Sequence, residues 1–141
     1  MKLTRKTDYA LRLLTRLARG EQSQVLPTRL IAESEDISLK YLQSVASQLV
    51  ASGLIESVPG AKGGNILAKP ANKISVLDVI EIMEGQLALM DCMELSTNCC
   101  EFQGCGIHGL LGRAQIAMNE VLSSESIADL AGCPVSNEVS I

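Results

Sequence analysis

A chain of 141 residues with 47% hydrophobic residues can bury one core, and two Tyr, one Phe and no Trp make that core aliphatic. Its apolar runs are short and broken by charge, which excludes a membrane-spanning helix. The basic start "MKLTRKTDYALRLLTRLARG" interleaves arginines with leucines where a signal peptide needs an unbroken apolar run, so the expected compartment is the cytoplasm.

Net charge −4 hides a division. Residues 1–73 hold eleven Lys/Arg against six Asp/Glu, net +5, whereas residues 74–141 hold one against ten, net −9. A basic first part followed by an acidic second points to two jobs, one of them meeting a polyanion.

Residues 4–19 read as a helix capped by Thr4 and stopped by Gly20. Leu3, Ala10, Leu11, Leu14, Leu17 and Ala18 share one face, and Arg5, Arg12, Arg16 and Arg19 another. "LPTRLIAESE" is a short second helix with Pro27 in its first turn, where a missing N–H costs little. After a turn at "DIS", Ser38 caps a third helix over about 38–52, ended by Gly53. Its Leu39, Leu42, Val45, Ala46, Leu49 and Val50 share a face, while Lys40, Gln43, Ser44 and Ser47 lie opposite, flanked by Tyr41 and Gln48. That outer set is rich in donors and amides and lacks carboxylates, which suits base edges and phosphates.

Two β-prone runs, 54–58 and 65–68, bracket a tip with Gly60, Gly63 and Gly64, where Lys62 and then Lys69 supply charge. Glycine permits positive φ at such a tip and lets backbone N–H groups approach a phosphate. A glycine-rich hairpin straight after a helix-turn-helix reads as the wing of a winged helix. The candidate DNA contacts are therefore Arg12, Ser38, Lys40, Tyr41, Gln43, Ser44, Ser47, Lys62, Gly63 and Gly64.

Ser75, with Asp78 three residues on, forms a capping box for a helix carrying Val76, Leu77, Val79, Ile80 and Met83 and stopped by Gly85. Farther on, Ile107, Leu110, Leu111, Ala114, Ala117, Met118, Val121 and Leu122 recur at spacings of three and four. A helix of that length cannot stand alone in water; a second copy of itself would cover it, or its own domain would cover part of its surface. DNA-reading helix-turn-helix proteins commonly act as dimers on two half-sites. The expected fold is mainly α, with a winged helix-turn-helix DNA-binding domain over 1–73. A ligand-bearing loop and a long C-terminal dimerisation helix would follow over 74–141.

Between the last two helices runs "MDCMELSTNCCEFQGCGIH", residues 90–108, with four of the five cysteines and the only histidine. In a reducing compartment, gathered cysteines are metal ligands or redox groups before they are disulfides. Six residues separate Cys92 from Cys99, five separate Cys99 from Cys105, and His108 follows after two more. Cys100 sits beside Cys99 as an alternative ligand. Structural zinc sites pair their ligands closely, and only Cys100–Cys105 and Cys105–His108 come near that spacing. Long, even gaps suit a larger object that the chain must wrap, an iron–sulfur cluster held mainly by thiolates. No base and oxyanion site accompany the Cys–His pair, so catalysis is not expected. Cys133, in "LAGCPV", reads as packing or surface.

From Met1 to about residue 132 the chain resembles the Rrf2 family of winged-helix transcriptional regulators. The likeness is carried by "MKLTRKTDYALRLLTRLA", "ISLKYLQSVASQLVASGLIESV", "GAKGGNILAKP", "ISVLDVIEIMEG" and the three-cysteine loop. The resemblance implies a homodimer with crossing long helices, heads that bind double-stranded operator DNA, and one iron–sulfur cluster per subunit. Loss or change of the cluster would alter operator affinity. In the family's nitric-oxide-sensing branch a first-helix carboxylate from across the dimer is the fourth ligand, and Asp8 in "KTDYALR" matches it. In its cluster-assembly branch the fourth ligand is a histidine just beyond the third cysteine, which His108 in "CGIH" matches. The first-helix likeness favours Asp8, and with it a 4Fe–4S cluster, over His108 and a 2Fe–2S cluster. The plain alternative for Asp8 is an i,i+4 salt bridge to Arg12.

Two departures stand out. Pro59-Gly60 replaces the Arg-Gly that commonly opens the family's wing, and the first inter-cysteine gap is one residue longer than in some branches, leaving Cys99 and Cys100 both open as the middle ligand. The rival functions are a small iron–sulfur redox carrier, a zinc-stabilised interaction module, and a cluster-free family repressor that works through a protein partner.

Overall fold

The computed structural model describes residues 2–20, 24–93 and 104–132. Cys99, Cys100 and Cys133 lie outside the described residues. Helix α1 (Arg5–Arg19) buries Thr7, Ala10, Leu13, Leu14 and Leu17, whereas Leu3, one of the residues expected on that face, precedes the helix and is exposed. Thr4 holds the N-cap position without capping its own helix. Its N–H and hydroxyl donate instead to Glu84 Oε1, at 2.9 and 2.6 Å, and the Thr7 hydroxyl joins the same oxygen. One backbone donor at the start of α1, the Thr4 N–H, is thus satisfied from a distant helix.

Helix α2 (Thr28–Glu35) ends at Asp36, whose φ of 53° is left-handed and whose N–H returns to Ala32 and Glu33 carbonyls. Asp tolerates that conformation better than most residues, which explains the turn at "DIS". Helix α3 (Leu39–Ala51) buries Leu42, Val45, Ala46 and Leu49. Leu39 and Val50, expected on the same face, lie at its edges and are each 38% exposed.

Strands β1 (Ile55–Val58) and β2 (Gly64–Leu67) pair antiparallel, with Ile55 opposite Leu67 and Val58 opposite Gly64. The sequence reading missed a third partner: Leu26 bridges Asn65 through N–H to O bonds of 3.0 and 2.9 Å. One residue carries no period, so nothing in the pattern announced it. A Cβ on Gly64 would lie 2.2 Å from the Leu26 carbonyl oxygen, which gives this glycine a reason inside the fold. Asn65, buried at the same place, donates to Thr28 Oγ1 at 2.7 Å.

Helix α4 (Val76–Glu84) has both arms of the expected Ser75–Asp78 capping box and ends at Gly85, φ 87°. Helix α5 (Gly106–Ser124) follows the cysteine loop, and α6 (Ile127–Gly132), absent from the sequence reading, closes the described chain. Ser126 and Asp129 repeat the capping box at α6, so the signal was present but the helix was too short to show periodicity. Ser75 and Ser126 face each other in an antiparallel bridge, which sets the starts of α4 and α6 side by side.

Helix α6 packs on α1, with Ile127 wholly buried and Arg19 Nε donating to the Ala131 carbonyl at 3.3 Å. The main core runs from Ala10 and Leu14 through Leu42 and Leu49 to Ile74, Val79 and Ile127. A smaller apolar patch of Val76, Ile80 and Leu87 receives Met118 and Leu122.

The apolar residues of α5 therefore do not act as one stripe. Met118 and Leu122 lie against α4, while Ile107, Leu110 and Val121 are 64%, 57% and 63% exposed.

Candidate functional site

Because α3 buries only its inner face, Lys40, Gln43, Ser44 and Ser47 stand exposed on its outer face with Tyr41 at the flank, and Ser38, the N-cap residue before the helix, is exposed as well. The Ser47 hydroxyl donates back to the Gln43 carbonyl at 2.9 Å, so its oxygen remains an acceptor. Tyr41 meets Tyr9 of α1 edge-on, with ring centroids 5.4 Å apart and planes at 89°. That contact orients one outer side chain of α3.

At the hairpin tip Gly60 takes φ 107°, and Lys62 is exposed. The Gly63 N–H donates to the Gly60 carbonyl at 3.0 Å, and a Cβ there would meet the Val58 oxygen at 2.2 Å. Gly63 thus serves the turn itself, and its N–H is engaged there.

Arg12 lies between carboxylates. Its Nε donates to Asp8 Oδ1 at 3.0 Å and its Nη1 to Glu35 Oε2 at 3.2 Å, while Arg16 Nε is 3.7 Å from the other Glu35 oxygen. Hydrogen bonding to Asp8, ahead of that to Glu35, raises the Arg12 pKa above its ordinary value. Arg12 therefore ties Asp8 to the last residue of α2, beside the turn that leads into α3.

The described thiols sit at the two ends of the cysteine loop. Cys92 lies in a 3-10 turn, Asp91–Met93, and Cys105 occupies the N-cap position of α5, where its Sγ accepts from the His108 N–H at 3.4 Å. Both are free and half-buried. The thiolate is the form of cysteine that binds metal. His108 is half-buried in the first turn of the same helix. Among the described residues, no three of His, Cys, Asp and Glu gather around one point. Asp8 is accordingly not brought to Cys92 and Cys105 within one chain. Two thiols fit the donor chemistry of an iron–sulfur cluster; the middle ligand, Cys99 or Cys100, lies outside the described residues.

The family model described as "Rrf2: Iron-dependent Transcriptional regulator" matches residues 3–132. The chain belongs to the Rrf2 family. The HTH-type transcriptional regulator NsrR of Shouchella clausii is 35% identical over 131 residues, covering 92% of this chain and 88% of that protein. CymR (YrzC), the global cysteine regulator of B. subtilis, has a similar structure, with a TM-score of 0.80 at 28% identity over 93% of this chain and 96% of that one. T. potens IscR gives a TM-score of 0.73 at 28% identity, over 92% and 85%.

Helices α1 to α3 with the hairpin are thus the winged helix of an Rrf2 transcriptional regulator. No helix among the described residues of this Rrf2 protein is long and apolar enough to cross a membrane.

Proposed function

We propose that this Rrf2 protein is a cytoplasmic homodimer, a regulator rather than an enzyme, that reads double-stranded operator DNA with α3 and the wing. Its operator affinity is set by an iron–sulfur cluster held by Cys92, Cys99 or Cys100, and Cys105. Asp8 of the second copy is the fourth ligand and implies a 4Fe–4S cluster; His108 in that place would imply 2Fe–2S. The carrying observation is the position of Cys105: a candidate ligand caps the same helix whose exposed Ile107, Leu110 and Val121 call for a second copy. Ligation and dimer geometry then share one element.

When bound, such a cluster supplies iron that oxidants, nitric oxide or iron scarcity can alter or remove. The residues of the chain do the rest. Asp8 pairs with Arg12 on an exposed helix face, and a pair of that kind contributes only about 0.3–0.5 kcal/mol, too little to keep Asp8 from a better partner. As a ligand, Asp8 ties α1 of one copy to the loop of the other, and Arg12 and Tyr9 connect α1 to the α2–α3 unit. A coupling of about 1–3 kcal/mol is enough to change operator occupancy strongly. A cluster-free repressor acting through a protein partner is the second reading, favoured by the likeness to the global cysteine regulator CymR.

Purification without oxygen, iron and acid-labile sulfide analysis, and footprinting on a palindromic promoter fragment test the proposal. The expected result is brown protein whose operator protection changes when the cluster is removed. Iron-free, sulfide-free protein that protects the operator equally well would decide for the second reading. Bound iron without any operator binding would indicate a redox carrier.

A further inference from the structure

We infer that Gln115 is a positioning residue for the thiol loop: its side-chain amide fixes the backbone at Leu89, and so places Cys92 against the helix that Cys105 caps. The inference rests on the cluster reading above. Gln115 is 9% exposed, the one residue α5 buries. A primary amide buried beside apolar side chains costs about 1–3 kcal/mol unless its hydrogen bonds are made. Here they are. Oε1 accepts from the Leu89 N–H at 3.0 Å, and Nε2 donates to Asn119 Oδ1 at 2.9 Å, one turn along the helix. A backbone N–H can only donate, so the oxygen must face Leu89 and the nitrogen must face Asn119.

The surrounding loop is arranged in sequence. Leu87, buried among Val76, Ile80, Met118 and Leu122, anchors the chain as it leaves α4. Leu89 is then held by Gln115, and the Met93 N–H donates to the Met90 carbonyl at 2.9 Å, which closes the turn that presents Cys92. That turn packs on α5. A leucine at position 115 would extend the apolar side formed by Met118 and Leu122 but would leave the Leu89 N–H without its acceptor. The sequence places an amide where burial alone would choose a hydrocarbon. Fixing the loop is the role this amide visibly performs.

The test uses full-length protein purified without oxygen, as wild type, Gln115→Leu and Gln115→Glu. Glutamate keeps an oxygen for Leu89 and either accepts from the flipped Asn119 amide or, protonated, donates to it. Iron release to a chelator is followed by the loss of visible absorption, and hydrogen exchange at Leu89 is measured in cluster-free protein. Far-UV circular dichroism and elution volume establish that each variant is folded and dimeric.

Removing the partner that orients a metal ligand typically weakens binding 10–100-fold, so Gln115→Leu should release iron faster by about that factor. Leu89 should lose exchange protection in Gln115→Leu, and Gln115→Glu should stay near wild type in both readouts. A cluster-holding wild type matched by Gln115→Leu in release rate overturns this inference and leaves the cluster reading standing. So does a Gln115→Glu variant as impaired as Gln115→Leu. A wild type without iron and sulfide overturns the cluster reading, and the inference with it.

Discussion

At Glu84 a single carboxylate oxygen accepts from the Thr4 N–H, the Thr4 hydroxyl and the Thr7 hydroxyl, binding the end of α4 to the start of α1. The Thr4 hydroxyl, then the Thr7 hydroxyl and the Thr4 N–H, with nearby Lys6, hold its pKa below the usual carboxylate value. A folded-state pKa below the unfolded value of about 4.3 means that the stabilisation is complete above that pH and is lost as the pH falls through the folded value. Glu84 is largely solvent-exposed, so the contribution is about 1 kcal/mol or less. Glu84→Gln should therefore lower the urea midpoint at pH 7, and the gap to wild type should close below about pH 4. A gap that does not change with pH would mean that the carboxylate charge is irrelevant to the latch. Thr4 was legible in the sequence as the residue before α1, but its hydroxyl turns from the helix to a partner 80 positions away, beyond any local spacing rule. Gln115 escaped for the same reason, since its partner is the backbone of Leu89, 26 positions back.

The long helix shows what periodicity can and cannot resolve. Ile107, Leu110, Ala114, Ala117 and Val121 step by three and four, and Leu111, Gln115, Met118 and Leu122 form a parallel row one position on. From sequence the two rows merge into one apolar stripe. Packing separates them, because α4 covers Met118 and Leu122 and leaves Ile107, Leu110 and Val121 open. Five helices, the recognition-type face of α3 and the hairpin were legible because each carries many residues of one period, a cap or a clear stop. The Leu26 bridge and α6 were too short to carry one. The outer row fits the narrow seam by which two helices pair. Leu110→Glu should therefore convert the proposed dimer to monomer, because an unpaired buried charge costs about 3–5 kcal/mol. Ile116→Glu, equally exposed but on the other side of α5, should leave the dimer intact. Sedimentation equilibrium reads both, and an unchanged association constant for Leu110→Glu would assign the second copy to another surface.

Across the whole molecule, charge and packing divide the labour differently. The main core joins α1 and α3 to Ile74, Val79 and Ile127, so the winged head and the C-terminal segments are mechanically continuous. Charge is not continuous: residues 1–73 carry net +5 and residues 74–141 net −9, with Arg113 the only Lys/Arg of the latter. The segment that carries α3 and the wing is thus the one whose net charge attracts a polyanion. Phosphate contacts release counterions, so each one lost lowers the slope of log affinity against log salt by about 0.9. Among the described residues Lys40 joins none of the ion pairs, whereas Arg12 is shared by Asp8 and Glu35. Lys40→Ala should thus weaken operator binding and flatten the slope by about 0.9 per subunit. Arg12→Ala should change the slope less, because part of its charge is already neutralised within the fold, and Arg113→Ala should leave it unaltered. Fluorescence anisotropy on one promoter fragment across a salt series measures all three. A slope untouched by Lys40→Ala, or lowered as much by Arg113→Ala, would move the operator away from α3.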